Sequence, residues 1–147
     1  MTQVIHPAQL LFTDKHPLTS SMQMQFHPVE DNTLTVTLRA PESFADQDGI
    51  HTHTGFSSLL LDTVMGSCAI GELKKPAPIA TIKLSTNHIS RAKVGEHITC
   101  EATFEAQENE IVYVSGRVLE GTAKKFIAQA IGTFMVGTAT KSIREKS

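Results

Sequence analysis

Residues 50–72, IHTHTGFSSLLLDTVMGSCAIGE, decide the fold of this protein. Between residues 55 and 71 the apolar side chains are distributed all round a helix instead of along one face. Such a pattern is typical of a helix that the rest of the protein covers on every side. One carboxylate, Asp62, stands in the middle of this run. The sequence therefore predicts one long central helix with a single acidic side chain.

Alternating apolar and polar residues on both sides of this helix predict β-strands. Residues 22–28 and 33–39 flank the turn-like residues 30–32 and predict a β-hairpin, and the polar segment 40–52 predicts a loop. Four β-rich stretches follow the helix: 79–89, 97–106, 110–120 and 124–136. The connections between these stretches, including a predicted turn at 92–96, are short enough for neighbouring strands to pair in sequence order. The predicted fold is α+β, with an antiparallel sheet of about six strands wrapped around one helix.

Length, charge and cysteine content limit the class of protein. The 147 residues predict a single domain, 1–147, with its core at about 18–137 and a frayed tail at 138–147. The formal net charge of −2, without a basic block, argues against nucleic acid and membrane surfaces as partners. With no apolar run of membrane-spanning length and no secretory signal pattern, we expect a cytoplasmic protein. Cys68 and Cys100 are expected to be reduced, buried thiols.

Asp62 needs a physical reason to lie in an apolar helix. Burying an ionised carboxylate costs several kcal/mol unless it is paired or hydrogen-bonded, and no Lys or Arg lies at helical contact spacing. Two explanations are open at this point. Asp62 is either a catalytic carboxylate in a cleft or a structural one, bonded to a neighbouring strand or to Thr63.

The loop before the helix favours catalysis. It brings polar side chains and free backbone N–H groups to the helix start, from Gln47, His51, His53, Thr54 and Gly55. Unpaired amides and the helix dipole favour negative charge at that end. Donors of this kind form an oxyanion hole, which stabilises the charge that develops on a carbonyl oxygen.

These residues resemble a known family. HTG (53–55), Asp62 and TVMG (63–66) are similar to the His-Gly-Gly…Leu-Ala-Asp-Ser-Ala-Met-Gly signature of hotdog-fold acyl-CoA thioesterases of the phenylacetate-degradation type. STNHISRAKVGE (85–96) is similar to the strand-and-turn segment of this family, and GTAKKFIAQAIGTFMV (121–136) to its closing strand. The resemblance implies the hotdog fold, in which the sheet wraps a central helix.

The same resemblance implies an activity, the hydrolysis of an aryl- or medium-chain acyl-CoA to free acid and CoA. Asp62 falls on the family's catalytic carboxylate, which activates water or attacks the thioester carbonyl directly. Gln47 falls on the Gln or Asn that helps to hold the substrate carbonyl or the water, and His53 on the signature histidine that organises the loop. The backbone N–H that polarises the carbonyl falls at Thr54, where the family has glycine, and Gly55 keeps the next position.

Further residues of the substrate site follow from the resemblance. Candidates for pantetheine and phosphate contacts lie at 87–93: His88, Ser90, Arg91 and Lys93. Exposed Arg and Lys in turns are also typical of solvated charges. Gly66 has no hydroxyl, so Thr63 or Ser67 would have to assist Asp62. Coenzyme A enters as part of the substrate, and no metal or redox cofactor is implied.

The spacing of the candidate residues predicts two chains. A helix rises about 1.5 Å per residue, so Asp62 lies roughly 10 Å along the axis from the amides of Thr54 and Gly55. One carbonyl cannot contact both on the same helix. We therefore expect a two-fold homodimer that shares its active sites, and the resemblance implies the same pairing, often as a homotetramer.

Other interpretations stay open. His51 and His53 could bind a metal ion from an extended segment, although no third ligand with recognisable spacing is nearby. Cys68 could act as a nucleophile, although a free Cys in an apolar helix is more often part of the core. A hotdog domain that binds acyl-CoA or a partner without turnover, or a hotdog hydratase or dehydratase, would have the same fold.

Overall fold

The computed structural model describes residues 21–74 and 77–137, so the predicted tail at 138–147 and the first residues of the predicted core lie outside the described residues. The elements, in chain order, are β1 (Gln25–Phe26), β2 (Thr33–Arg39), a short 3-10 helix (Glu42–Phe44), α1 (Thr54–Gly71), β3 (Ile79–His88), β4 (His97–Glu108), β5 (Ile111–Glu120) and β6 (Lys125–Val136). No helix within these residues is long and apolar enough to cross a membrane.

The predicted hairpin forms, with a shorter first strand than expected. Asp31 and Asn32 have φ angles of 49° and 61°, the left-handed backbone of a tight two-residue hairpin turn that these residue types tolerate. The first strand, β1, covers only two residues of the predicted stretch 22–28. Gln23 has a φ of 51°, which interrupts the extended backbone before β1 begins.

All six strands form one antiparallel sheet in the order β1-β2-β4-β5-β6-β3. The predicted α+β class and the six-strand sheet are confirmed. The prediction that all four strands after the helix pair in sequence is wrong for β3. Strands β4, β5 and β6 do form a meander, but β3 pairs with β6 at the far edge, where Ser85 lies opposite Ile131.

Residues 89–96 are consequently a crossover and not a tight turn. The crossover runs beside the loop that precedes α1, where the N–H of Thr52 donates to the carbonyl of Ala92 at 2.7 Å and the N–H of Val94 donates to that of Ile50 at 2.9 Å. These bonds carry the chain past the start of α1 to β4 on the other side of the sheet. Short connections permitted sequential pairing, but this contact with the loop determines the path.

Helix α1 packs against β2, β3, β4, β5 and β6, so the sheet wraps the helix in the hotdog arrangement. Fully buried apolar side chains of the helix form the centre of the core: Phe56, Leu60, Leu61, Val64, Met65, Cys68 and Ala69. The expectation that the helix is covered all round is wrong for one face of the single chain. At a spacing of four residues, an open stripe runs along it: Thr54, Ser58, Asp62, Gly66 and Ile70.

Two glycines set the distance between helix and sheet. Met65 is completely buried against Gly116 on β5 and Gly132 on β6. A Cβ atom at Gly116 would lie 2.8 Å from Met65 Sδ, and one at Gly132 would lie 2.9 Å from Met65 Cε. Both distances are below normal van der Waals contact, so a side chain at either position would force the Met65 side chain to shift.

We expect Gly116→Ala to destabilise the protein by about 1–3 kcal/mol, because the added methyl group overpacks the contact with Met65. Urea unfolding of the variant and the wild type measures the difference. In a Met65→Ala background the same substitution should cost less, since the crowded side chain is gone. Equal midpoints for wild type and Gly116→Ala would show that the core yields at this point.

Candidate active site

Asp62 lies on the open stripe and is half-buried, not fully buried as the sequence suggested. Its Oδ1 accepts a hydrogen bond of 2.7 Å from Thr81 Oγ1 on β3. Its Oδ2 has no hydrogen-bond or ion-pair partner in the part of the chain that the structure describes. Of the two structural partners considered, the neighbouring strand is the one observed. The hydrogen bond to Oδ1 thus orients the carboxylate, and Oδ2 remains available to contact a substrate or water.

Hydroxyl groups on the helix are directed elsewhere. Thr63 Oγ1 donates to the carbonyl of Leu59 at 2.8 Å, and Ser67 Oγ donates to that of Thr63 at 2.8 Å. Both bonds return to the preceding helical turn, as mid-helix Ser and Thr often do. Thr81 is the hydroxyl beside Asp62, and the sequence analysis missed it because no local pattern shows which strand residue faces a helix.

The start of α1 is organised by His53, the N-cap residue. Its Nδ1 accepts a hydrogen bond of 2.9 Å from the N–H of Gly55. A Cβ at Gly55 would lie 3.0 Å from that ring nitrogen, so glycine leaves room for the cap. The amide of Gly55 is therefore occupied, contrary to the expectation of two free donors. The N–H of Thr54 has no hydrogen-bond partner among residues 21–74 and 77–137.

Gln47 lies in the loop before the helix and is exposed. Its side-chain amide makes no hydrogen bond within the described ranges. In the same loop, His51 Nδ1 lies 2.8 Å from Asp48 Oδ2. His51 and His53 are engaged through Nδ1 and keep Nε2, the other ring nitrogen that can bind a metal. The described residues contain no group of three or more His, Cys, Asp or Glu side chains that could hold a metal ion.

Candidates for coenzyme A contacts divide into two pairs. His88 Nε2 lies 3.3 Å from Ser58 Oγ, beside the open stripe, and the Lys93 side chain is exposed. Ser90 Oγ donates to the carbonyl of Phe126 at 2.8 Å, and Arg91 forms ion pairs within the chain. The second pair is already engaged in internal contacts.

The predicted catalytic residues form two groups at different heights along α1. His53 and Thr54 lie at the helix start and Gln47 in the loop before it, whereas Asp62 lies about two turns beyond Thr54, roughly 12 Å along the axis. One chain therefore does not bring the carboxylate and the free amide to the same carbonyl.

The two cysteines are free and buried, as predicted. Burial raises the pKa of the Cys68 thiol to about 12, and Cys68 Sγ donates to the carbonyl of Ala102 at 3.4 Å. Burial also raises the pKa of Cys100. Because the thiolate is the reactive form, the burial of Cys68 argues against this residue as a nucleophile.

Comparison with solved structures confirms the hotdog fold. The chain is similar to a putative thioesterase, a phenylacetic acid degradation-related protein from Ralstonia eutropha JMP134, with a TM-score of 0.75 and 20% identity over 90% of this chain and 100% of that one. It is also similar to the PaaI protein of the E. coli phenylacetic acid degradation operon, with a TM-score of 0.78 and 12% identity over 90% and 92% of the two chains.

A third similar structure is smu.793 from Streptococcus mutans UA159 bound to acetyl CoA, with a TM-score of 0.68 and 19% identity over 77% of this chain and 87% of that one. No curated protein matches the chain by sequence. The family model of the thioesterase superfamily matches residues 50–126. Since this match covers more than half of the chain, including the helix, its cap and the crossover, the protein belongs to the thioesterase superfamily and is a thioester hydrolase.

Proposed function

We propose that the protein is an acyl-CoA thioesterase that hydrolyses an aryl- or medium-chain acyl-CoA to the free acid and CoA. The observation that carries the proposal is Asp62, a carboxylate on the open helix face with one oxygen held by Thr81 and the other without a partner among the described residues. Acting as base, Asp62 takes a proton from water as the water oxygen bonds to the carbonyl carbon. Acting as nucleophile, it bonds to that carbon itself and water then cleaves the anhydride. In both routes the C–S bond breaks and CoA leaves as the thiolate.

The helix start supplies the second part of the proposed chemistry. The N–H of Thr54 would donate to the thioester oxygen, where negative charge develops, and the helix dipole adds to this stabilisation. His53 holds the first turn in shape through its bond to Gly55. Gln47 would hold the carbonyl or the attacking water with its free side-chain amide.

The proposed active enzyme is a homodimer, with the helices of two copies antiparallel along their open stripes. Three observations support this arrangement. Thr54 and Asp62 are too far apart on one helix to act on one carbonyl. The helix stripe is only partly covered in the single chain. Strand β3 is a sheet edge of ten residues, with Ile82 53% exposed, and such an edge can pair with a second copy. Two dimers could associate further into a tetramer.

We assign coenzyme A contacts to Lys93, whose side chain is exposed, and to His88, which keeps Nδ1 beside the contact of its Nε2 with Ser58. Ser90 and Arg91 are engaged within the chain. Thr63, half-buried beside Asp62, would line the acyl site with its methyl group. The similar protein bound to acetyl CoA supports an acyl-CoA as the substrate, and the two similar proteins of phenylacetic acid degradation support an aryl acyl group.

We further propose that residues 1–147 form one domain, that the protein is cytoplasmic, and that hydrolysis needs no metal or redox cofactor. Two free thiols support a reducing compartment. Carboxylate-driven hydrolysis requires only water and the thioester.

A panel of acyl-CoAs tests the proposed function. We expect purified protein to release CoA, measured with a thiol-reactive dye, with a higher kcat/KM for phenylacetyl-, benzoyl- and octanoyl-CoA than for acetyl-CoA. Each buried methylene contributes about 0.8 kcal/mol, or roughly fourfold in kcat/KM. Acetyl-CoA as the best substrate would contradict the acyl preference. Binding of acyl-CoA without CoA release would favour a non-catalytic domain, and loss of the enoyl absorbance of crotonyl-CoA without CoA release would favour a hydratase.

A further inference from the structure

Residues 45–51, termed the Gln47 loop, are closed on themselves by hydrogen bonds. Asp48 Oδ1 accepts from the N–H groups of Ile50 and His51, both at 2.9 Å, and Asp48 Oδ2 lies 2.8 Å from His51 Nδ1. Asp46 Oδ1 accepts from the N–H of Gln47 at 2.8 Å. The pKa of Asp48 lies well below its usual range. The largest causes are the hydrogen bonds from the backbone and side chain of His51, followed by the bond from the backbone of Ile50. Asp48 therefore stays negatively charged at any pH at which the enzyme would be assayed.

Arg91, on the crossover, joins both carboxylates of this loop. Its Nη1 lies 3.0 Å from Asp46 Oδ2, and its Nη2 lies 3.5 Å from Asp48 Oδ2. The two aspartates stand on either side of Gln47, so one guanidinium spans the tip of the loop. Directly after Arg91, Ala92 accepts a backbone hydrogen bond from Thr52, the residue that follows the loop. The crossover thus holds the loop by a side chain at its tip and by the backbone at its end.

Gln47 is the one polar side chain of the loop that takes no part in this network. Asp46, Asp48 and His51 are all bound, whereas the Gln47 side-chain amide is exposed and has no hydrogen-bond partner in the described part of the chain. Every bond around it fixes its backbone, and none restrains its donor or acceptor atoms. The network therefore holds the Gln47 backbone in place and leaves the Gln47 side chain available to bind a group outside the loop.

We propose that Arg91 is a positioning residue, which holds Asp46 and Asp48 so that Gln47 is presented to the thioester, and that it does not bind the phosphates of coenzyme A. This inference rests on the proposed function, in which Gln47 holds the substrate carbonyl or the water. The guanidinium already faces two carboxylates, so its charge is neutralised before any phosphate arrives. Exposed ion pairs of this kind contribute little to global stability, so the effect of losing one should appear in the loop and in kcat.

Two substrates separate positioning from phosphate binding: the best acyl-CoA, and the matching acyl-pantetheine, which lacks the nucleotide and its phosphates. We expect Arg91→Ala to lower kcat about tenfold or more for both substrates by the same factor, with little change in KM, because a misplaced contact group costs rate. Asp48→Asn should reproduce this loss although it removes a negative charge, and Arg91→Lys should recover only part of it. In a Gln47→Ala background, Arg91→Ala should have no further effect.

The opposite pattern would overturn the inference. If Arg91 binds phosphate, Arg91→Ala raises KM for acyl-CoA only, acyl-pantetheine is unaffected, and Asp48→Asn leaves kcat intact. Arg117→Ala is the matched control, since Arg117 is similarly exposed and forms an ion pair with Glu101 at 2.9 Å on the outer sheet face. It should leave hydrolysis of both substrates unchanged.

Amide hydrogen exchange tests the same inference without turnover. In Arg91→Ala the N–H groups of Asp46, Ile50 and His51 should exchange faster than in the wild type, while those of the sheet stay unchanged. Unchanged exchange in the loop would overturn the positioning role even if activity falls. If the wild type hydrolyses neither thioester, the proposed function and the catalytic consequence both fail, and the exchange result alone decides whether Arg91 orders the loop.

Discussion

Asp62→Asn should lose thioester hydrolysis by a factor of about 100 or more and keep the fold. The amide oxygen can still accept the hydrogen bond from Thr81, but an amide neither removes a proton from water nor attacks a carbonyl. Because Asp62 is half-buried and forms no ion pair among the described residues, the free energy of unfolding should change by no more than about 0.5 kcal/mol. Steady-state kcat/KM and urea unfolding on the same preparation measure both effects.

Asp31→Asn is the matched control for this experiment. It makes the same chemical change in the hairpin turn, at a left-handed position where Asn is tolerated, and it should leave hydrolysis unchanged. If Asp62→Asn turned over within a few-fold of the wild type while the control behaved as expected, Asp62 would not be the catalytic group.

Mixing two inactive variants should restore activity if the site is shared between chains. Gln47→Ala and Asp62→Asn homodimers are each expected to be nearly inactive. In a mixed dimer, one of the two sites combines Gln47 from the Asp62→Asn chain with Asp62 from the Gln47→Ala chain. Both residues of that site are therefore intact. With random exchange, half of the dimers are mixed and half of their sites are intact, so about a quarter of wild-type activity should return.

A second mixture provides the control. Gln47→Ala with Arg91→Ala affects the same loop of each chain, so no mixed site has an intact loop and activity should not rise above the mean of the two parents. Subunit exchange is verified by native mass spectrometry of differently tagged chains. If exchange is complete and the first mixture stays inactive, Gln47 and Asp62 serve the site from one chain.

Local patterns were sufficient for most of the fold. The apolar run predicted the helix to within one residue at its start, and the alternating stretches predicted β2, β4, β5 and β6 to within about two residues at each end. The position of β3 could not be predicted, because the length of the crossover permits pairing with either β4 or β6. The backbone contact between Ala92 and Thr52 decides this, and the two residues lie 40 positions apart.

The candidate site shows the same division between local and distant information. The motif around His53 predicted that this residue organises the loop, and the structure shows that it does so as the helix N-cap. The motif could not show that the cap occupies the amide of Gly55 and leaves that of Thr54. Thr81 and the pairing of Arg91 with Asp46 escaped prediction because each contact joins segments far apart in sequence, for which no spacing rule exists.

Because β3 pairs with β6, β3 lacks its partner strand for an interval while the chain is being synthesised. Strand β3 emerges directly after the helix, but β6 is the last of the six described strands to be made. At about 5–20 residues per second, the roughly 50 residues from the end of β3 to the end of β6 take about 2–10 s. During this time both edges of β3 are open to other nascent chains. Until β6 has been made, β3 is therefore a strand at which nascent chains could pair edge to edge and aggregate.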